Sequence, residues 1–223
     1  MRIPLLFLIL LPLTAVSQTF NDFLARLNIV SQAERPAIVD SFMNAQESFP
    51  YIENDTTMFM IYRGTANSVT VAGDMNSWNP NGHSMSTVAG TDFWYRGYYF
   101  ESDARIDYKY VLNDGNWILD PRNPYTCTGG YGPNSELRMP QYISPPEVEY
   151  YANIEHGSLQ DTSFFSTNLG NSRTIRVYLP YGYAESEEHY PVMLFHDGLE
   201  YITLSDADNV LDYLIYHDRI VPI

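Results

Sequence analysis

Several residues of this 223-residue chain have the types that perform chemistry, and their spacing decides which of them can. A serine nucleophile on an α/β sheet needs a sharp strand-to-helix turn of the form Gly-x-Ser-x-Gly. Two segments come close, Gly82-His83-Ser84-Met85-Ser86 and Gly170-Asn171-Ser172-Arg173-Thr174, and both lack the closing glycine. Neither lies between an apolar strand and a helix, so Ser84 and Ser172 read as loop serines. His196 and Asp197, with Glu200 nearby, suggest a cation site. Adjacent side chains on an extended chain point to opposite sides, which argues against a shared ion. His156, His189 and His217 show no ligand spacing, so no metal site is expected. The single cysteine, Cys127, excludes an internal disulfide and any cysteine-cluster metal centre. It reads as an inert thiol, because a reactive thiolate needs an electropositive setting that this acidic chain lacks.

The balance of charge narrows the partners. Lys and Arg total 12 against 27 Asp and Glu, a net charge of −15. Such a surface repels phosphate backbones and anionic lipid, so neither nucleic acid nor membrane is an expected partner. At 45% apolar and 17% charged residues, the composition is that of a globular chain.

The elements that would position a site follow from periodicity. Residues 1–17 read as a secretory signal: Arg2, the apolar run Leu5–Leu13, and Ala15-Val16-Ser17 as a small-x-small cleavage site before Gln18. A secreted or periplasmic location is therefore expected. Residues 18–50 carry apolar side chains at helical spacing, Phe20, Phe23, Leu24 and Leu27, then Ile38, Val39, Phe42 and Met43, and predict two short helices. From Thr57 the period becomes two. Met58–Tyr62, Val69–Ala72, Phe93–Phe100 and Arg105–Leu112 read as strands, and Asn113-Asp114-Gly115-Asn116 as a hairpin turn returning through Trp117-Ile118-Leu119. Short strands at this spacing predict an antiparallel β-sandwich over 51–140. Pro140 and Pro145-Pro146 mark a linker at 141–150.

From 151 to 223 the texture is different. Arg173–Leu179 alternates and is ended by Pro180, and Tyr190–Phe195 is a continuous apolar run of the kind buried on both faces. Gly198 would permit a tight turn after it. Val210, Leu211, Leu214 and Ile215 lie on one helical face, and Ile220–Ile223 opens like a further strand. The expected architecture is multidomain, β then α/β, with the second sheet incomplete and the chain truncated at its C-terminus.

Arg173-x-Ile175-x-Val177-Tyr178-Leu179-Pro180, Tyr190-Pro191-Val192, His196-Asp197-Gly198, Val210-Leu211-Asp212-x-Leu214-Ile215 and Ile220-x-Pro222-Ile223 together resemble the Putative esterase family. This is the α/β-hydrolase family of enterochelin esterases, feruloyl esterases and esterase D. Upstream, Val71-Ala72-Gly73-Asp74-Met75-Asn76-Ser77-Trp78, Asp107–Val111, Asp114–Trp117, Asp120-Pro121 and Gly132–Leu137 resemble a glycogen-binding module of immunoglobulin-like fold. That pairing is typical of secreted enterochelin-esterase-like proteins.

The resemblances imply two functions of different class. One is a secreted carboxylic-ester hydrolase using a serine acyl-enzyme, acting on siderophore esters or on acyl esters of polysaccharide. Its nucleophile, acid and histidine are expected after Ile223, so no catalytic side chain falls within the chain and the fragment alone is expected to be inactive. The loop at His196 resembles the hydrolase loop that lends a backbone N–H to the oxyanion hole, with donors at Asp197, Gly198 and Leu199. The family's common form is His-Gly, and the intervening Asp197 leaves the exact donor open. The other function is non-catalytic binding of an α-glucan. Trp78 and Trp117 would stack on sugar rings while Lys109 and Asn134 bond hydroxyls; these four match the positions the resemblance assigns to ligand contact. Trp94 reads as packing. No cofactor is expected on either reading.

Overall fold

The computed structural model describes residues 19–223; the signal expected at 1–17 lies outside the described residues. Eleven strands and four α-helices form in this order: α1 (Phe20–Ile29), α2 (Arg35–Asn44), β1 (Tyr51–Ile52), β2 (Thr57–Arg63), β3 (Val69–Gly73), β4 (Ser86–Thr87), β5 (Phe93–Tyr99), β6 (Arg105–Leu112), β7 (Asn116–Ile118), β8 (Thr126–Cys127), β9 (Asn134–Arg138), β10 (Ser158–Ser166), β11 (Asn171–Leu179), α3 (Gly198–Ser205) and α4 (Ala207–Tyr216). Among the described residues no helix is long and apolar enough to cross a membrane. Two compact units divide the chain: residues up to 102 with 109–124, and 103–108 with 125–223.

In the first unit both predicted helices form. Thr19 starts α1 through a reciprocal cap: its hydroxyl accepts from the Asp22 N–H at 3.1 Å, and its own N–H donates to the Asp22 carboxylate at 3.1 Å. The face that results, Phe20, Phe23 and Leu27, is buried. Pro36 suits the first turn of α2, which buries Val39 and Met43. Both helices pack on the sheet β1-β2-β5-β4. The register Phe59↔Gly97, Ile61↔Tyr95 and Arg63↔Phe93 puts Phe59, Ile61, Phe93 and Tyr95 on the helix side. Gly97 makes room there, since a Cβ would stand 2.9 Å from the Phe59 ring.

The opposite face of that sheet carries Met58, Met60 and Tyr62, and Tyr62 meets Tyr110 edge-on at 5.8 Å. Tyr110 belongs to β6, in a second sheet ordered β3-β6-β9-β8 with β7 on β6. Its buried hydroxyl lies 3.1 Å from the Ile61 carbonyl and 2.9 Å from the Asp120 carboxylate. Two sheets face to face over this core make the immunoglobulin-like sandwich.

The expected turn at 113–116 forms, with its left-handed pair one residue earlier than an Asp114-Gly115 pair would place it. Asn113 (φ 51°) and Asp114 (φ 62°), not Gly115, take the left-handed backbone of the β6–β7 hairpin. Their side chains hold that shape: Asn113 accepts from the Asn67 N–H at 2.7 Å, and Asp114 accepts from the Ser68 hydroxyl at 2.9 Å.

In the second unit β10 and β11 pair antiparallel over their full length, Ser158↔Leu179 to Ser166↔Asn171, and Pro180 ends the pair. The strand expected at Tyr190–Phe195 does not form, and Val192 is 93% exposed. A strand buried on both faces needs neighbours on both edges; among the described residues none pairs with this run. Ile220–Ile223 is likewise not a strand. A helix not anticipated, α3, begins at Gly198 and runs directly into α4.

Candidate functional site

The backbone donors expected after His196 sit at the start of α3. Asp197 occupies its N-cap with φ 56° and ψ 31°, in the left-handed region that glycine favours. Asp197 thus stands where a His-Gly loop would place its glycine. The Glu200 N–H turns back to the Asp197 carbonyl at 2.9 Å. Gly198 and Leu199 are the first two residues of the helix, so their N–H groups have no carbonyl within it and point out of its positive end. That geometry suits a developing negative charge. The Asp197 N–H lies one residue earlier, in the turn. Ser172 is the second residue of β11, paired with Phe165 beside the β10–β11 turn, and Ser84 bridges Thr70; neither stands on a strand-to-helix turn.

On the β-module, Trp117 lies opposite Val111 and is 42% exposed. Lys109, two residues before Val111 on β6, shares that face and is half-buried. Trp78 follows the short turn Asp74–Asn76 with φ 60° and donates its indole N–H to Asp74 at 3.1 Å, leaving its ring half-buried. Trp94 is tied to the Gly64 carbonyl at 3.1 Å.

Asn134 is differently placed from the sequence expectation of an open contact. It is 8% exposed and its amide lies 3.4 Å from Asp107. It belongs to an ion network in the second unit. Arg105 bonds Glu136 at 2.6 Å and Asp107 at 3.0 Å, Arg138 also bonds Glu136, and the Cys127 thiol donates to Asp107 at 3.0 Å. Burial, and then the Asp107 carboxylate, push that thiol up to about 11. Asp107, Cys127 and Glu136 bring ligand atoms within 4.8 Å of one another. Two guanidiniums already neutralise both carboxylates and the thiol holds its proton, so this donor set does not fit a cation.

Tyr131 escaped the sequence reading. It is 101% exposed at the tip of a loop closed by Gly129 and Gly132, each N–H donating to the other's carbonyl at 3.2 and 3.1 Å. An aromatic flanked by glycines, Gly129-Gly130-Tyr131-Gly132, was the available signal.

Known proteins align with both halves. Residues 44–142 match the family Carbohydrate-binding module 48 (Isoamylase N-terminal domain), and residues 166–223 match the family Putative esterase. Over 132 residues the chain is 28% identical to an endo-1,4-beta-xylanase/feruloyl esterase of Xylanibacter ruminicola, covering 54% of this chain and 18% of that protein. The crystal structure of ferric enterobactin esterase from Salmonella typhimurium superposes with a TM-score of 0.60 at 18% identity, over 82% of this chain and 56% of that one. The enterobactin esterase of Shigella flexneri, in the presence of enterobactin, gives 0.54 at 21% identity, over 82% and 55%. The chain thus spans about half the length of these solved structures, with which it shares the fold, and less of the xylanase/feruloyl esterase. In sequence the chain thus resembles carbohydrate-binding module 48 over residues 44–142 and the esterase family over residues 166–223, and it shares its fold with the enterobactin esterases.

Proposed function

We propose that this chain is part of a secreted or periplasmic carboxylic-ester hydrolase that works through a serine acyl-enzyme, with the nucleophile, acid and histidine supplied by residues following Ile223. The observation that carries this reading is the esterase-family match over 166–223, at whose centre the His196 loop runs straight into the start of α3. In the reaction, the serine adds to the ester carbonyl, and the N–H groups of Gly198 or Leu199 hold the oxyanion. The alcohol leaves, and water then releases the acid. Siderophore esters and acyl esters of polysaccharide are the substrate classes, in keeping with what the named relatives act on.

The test is hydrolysis of p-nitrophenyl acetate and methyl ferulate by two proteins: residues 1–223, and the product of the same reading frame continued past Ile223. Turnover only by the longer protein is expected. Turnover by residues 1–223 would place the nucleophile inside the chain and overturn the assignment. N-terminal sequencing of the exported protein should begin at Gln18; a retained Met1 would remove the secretion reading.

A second reading, α-glucan binding by the module, is favoured by the exposure of Trp117 and Tyr131. It stands alone as the function if no catalytic serine exists. Retention on an amylose matrix tests it, with Trp78→Ala and Trp117→Ala as the variants that should weaken it.

A further inference from the structure

The first unit carries a cavity that Trp78, Lys109 and Trp117 do not line. It holds about 430 Å³, within the range of small-molecule sites, and lies between the start of α2, the β2–β3 turn and the β4–β5 turn. Trp94, which the sequence presents as packing, is half-buried and forms one wall. Its indole N–H donates to the Gly64 carbonyl at 3.1 Å, which fixes the ring and leaves the cavity a carbon surface in place of a donor. Pro36, in the first turn of α2, adds a second apolar wall. Gly90 at the rim has φ 82°, a backbone that keeps a side chain away from the mouth.

A few polar groups stand beside these walls. Arg63 donates to one Asp92 oxygen at 2.7 Å and to Asp40 at 3.0 Å. Among the described residues no donor engages the second Asp92 oxygen, so it remains to accept. The Thr91 hydroxyl gives its proton to the Val88 carbonyl at 2.7 Å and accepts from the Phe93 N–H at 3.2 Å, which leaves it one acceptor site. Thr65 is exposed on the β2–β3 turn, and its hydroxyl both donates and accepts.

This combination selects among ligands. Two carboxylates share one guanidinium here, so the rim is negative and disfavours an anion. A cation at Asp92 would meet the Arg63 charge. A purely apolar ligand would cover the Asp92 oxygen without giving it a hydrogen. A pyranose satisfies every wall: its C–H face lies on an aromatic ring, and its hydroxyls give hydrogens to acceptors at the edge.

We propose that this cavity is a separate carbohydrate site that takes one neutral sugar residue of a glycan chain. The sugar's C–H face packs on Trp94, one hydroxyl donates to Asp92, and another exchanges a bond with Thr65. The site shares no residue with the face carrying Trp117 and requires neither ester hydrolysis nor α-glucan binding there.

Nuclear magnetic resonance of the whole chain with nitrogen-15 tryptophan tests this. Three indole N–H signals, from Trp78, Trp94 and Trp117, are assigned by Trp→Phe variants. Titration with maltotriose or xylotriose should move the Trp94 signal to saturation, and glucuronate should leave it in place. Ala66→Phe fills the cavity from the β2–β3 turn and should abolish the shift. Thr65→Val should weaken binding about fivefold, the loss of one hydrogen bond. A Trp94 signal unmoved by both neutral sugars, moved equally by glucuronate, or still moved in Ala66→Phe overturns the proposal. If Ala66→Phe fails to fold, Thr65→Val decides, and an unchanged affinity there overturns it. The Trp117 signal reports the α-glucan reading in the same titration, and no readout needs ester turnover, so failure of either earlier reading is seen separately.

Discussion

Phe20→Ala measures how far the N-terminal helices belong to the β-module. Phe20 is fully buried; its ring stacks on Phe59 at 3.9 Å and meets Phe42 edge-on at 5.7 Å. Phe23 and Tyr95 lie at 5.5 and 5.4 Å, and the backbone N–H donates to Glu53 at 2.6 Å. Truncation leaves a cavity at the centre of this cluster, which costs about 3–5 kcal/mol. In a unit of this size each kcal/mol moves the midpoint by at least about 4 °C, so Tm should fall by roughly 12–20 °C. Tryptophan fluorescence is the assay, because the three tryptophans, Trp78, Trp94 and Trp117, all lie in the first unit and report its unfolding alone. Phe20→Leu should lose only the ring contacts, about 1–1.5 kcal/mol. A fall under about 4 °C for the alanine variant would mean that the helices rest on the sheet without stabilising it, and would refute the account of the core.

The raised Cys127 thiol predicts slow alkylation. With the thiol at about 11 in place of the ordinary 9.0, iodoacetamide should react roughly a hundredfold more slowly at pH 8 than with an unfolded control, and the rate should go on rising to about pH 11 where the control levels off near pH 9. Trp117→Ala and Tyr131→Ala should each weaken α-glucan retention by roughly tenfold with Tm unchanged, as exposed stacking residues do. Asn134→Ala should instead lower Tm, because its buried amide partners Asp107; affinity electrophoresis with thermal melts separates the two effects. On the proposed hydrolase function, Leu199→Pro deletes one N–H in the first turn of α3, where proline is tolerated, and should lower kcat of the longer protein by about 10²–10³ with KM little changed. An unaltered kcat would exclude Leu199 as an oxyanion donor.

Much was legible in the sequence because it is local. The spacing of Phe20, Phe23 and Leu27 gives an apolar stripe to any helix formed there, and Pro36 suits only a first turn. The alternation in Arg173–Leu179 ends at Pro180 for the same covalent reason in isolation as in the fold. The motifs around Trp78, Trp117 and His196 carry a resemblance to the two families that residues 44–142 and 166–223 match.

Other features have no local cause. Tyr190–Phe195 has the composition of a buried strand, yet a strand exists only where other segments offer their backbones. Asn134 matches a ligand-contact position, but Asp107, distant in sequence, draws its amide into an ion network. Asp212 reads as one polar residue in an apolar helix until Gly157, Tyr178 and His156 converge on it. The sequence by itself determined periodicity, caps, breakers and the family resemblance, which depend on neighbours a few bonds away. Only the tertiary structure decided which polar groups are buried and what holds them, because a hydrogen-bond partner far along the chain leaves no mark on local composition.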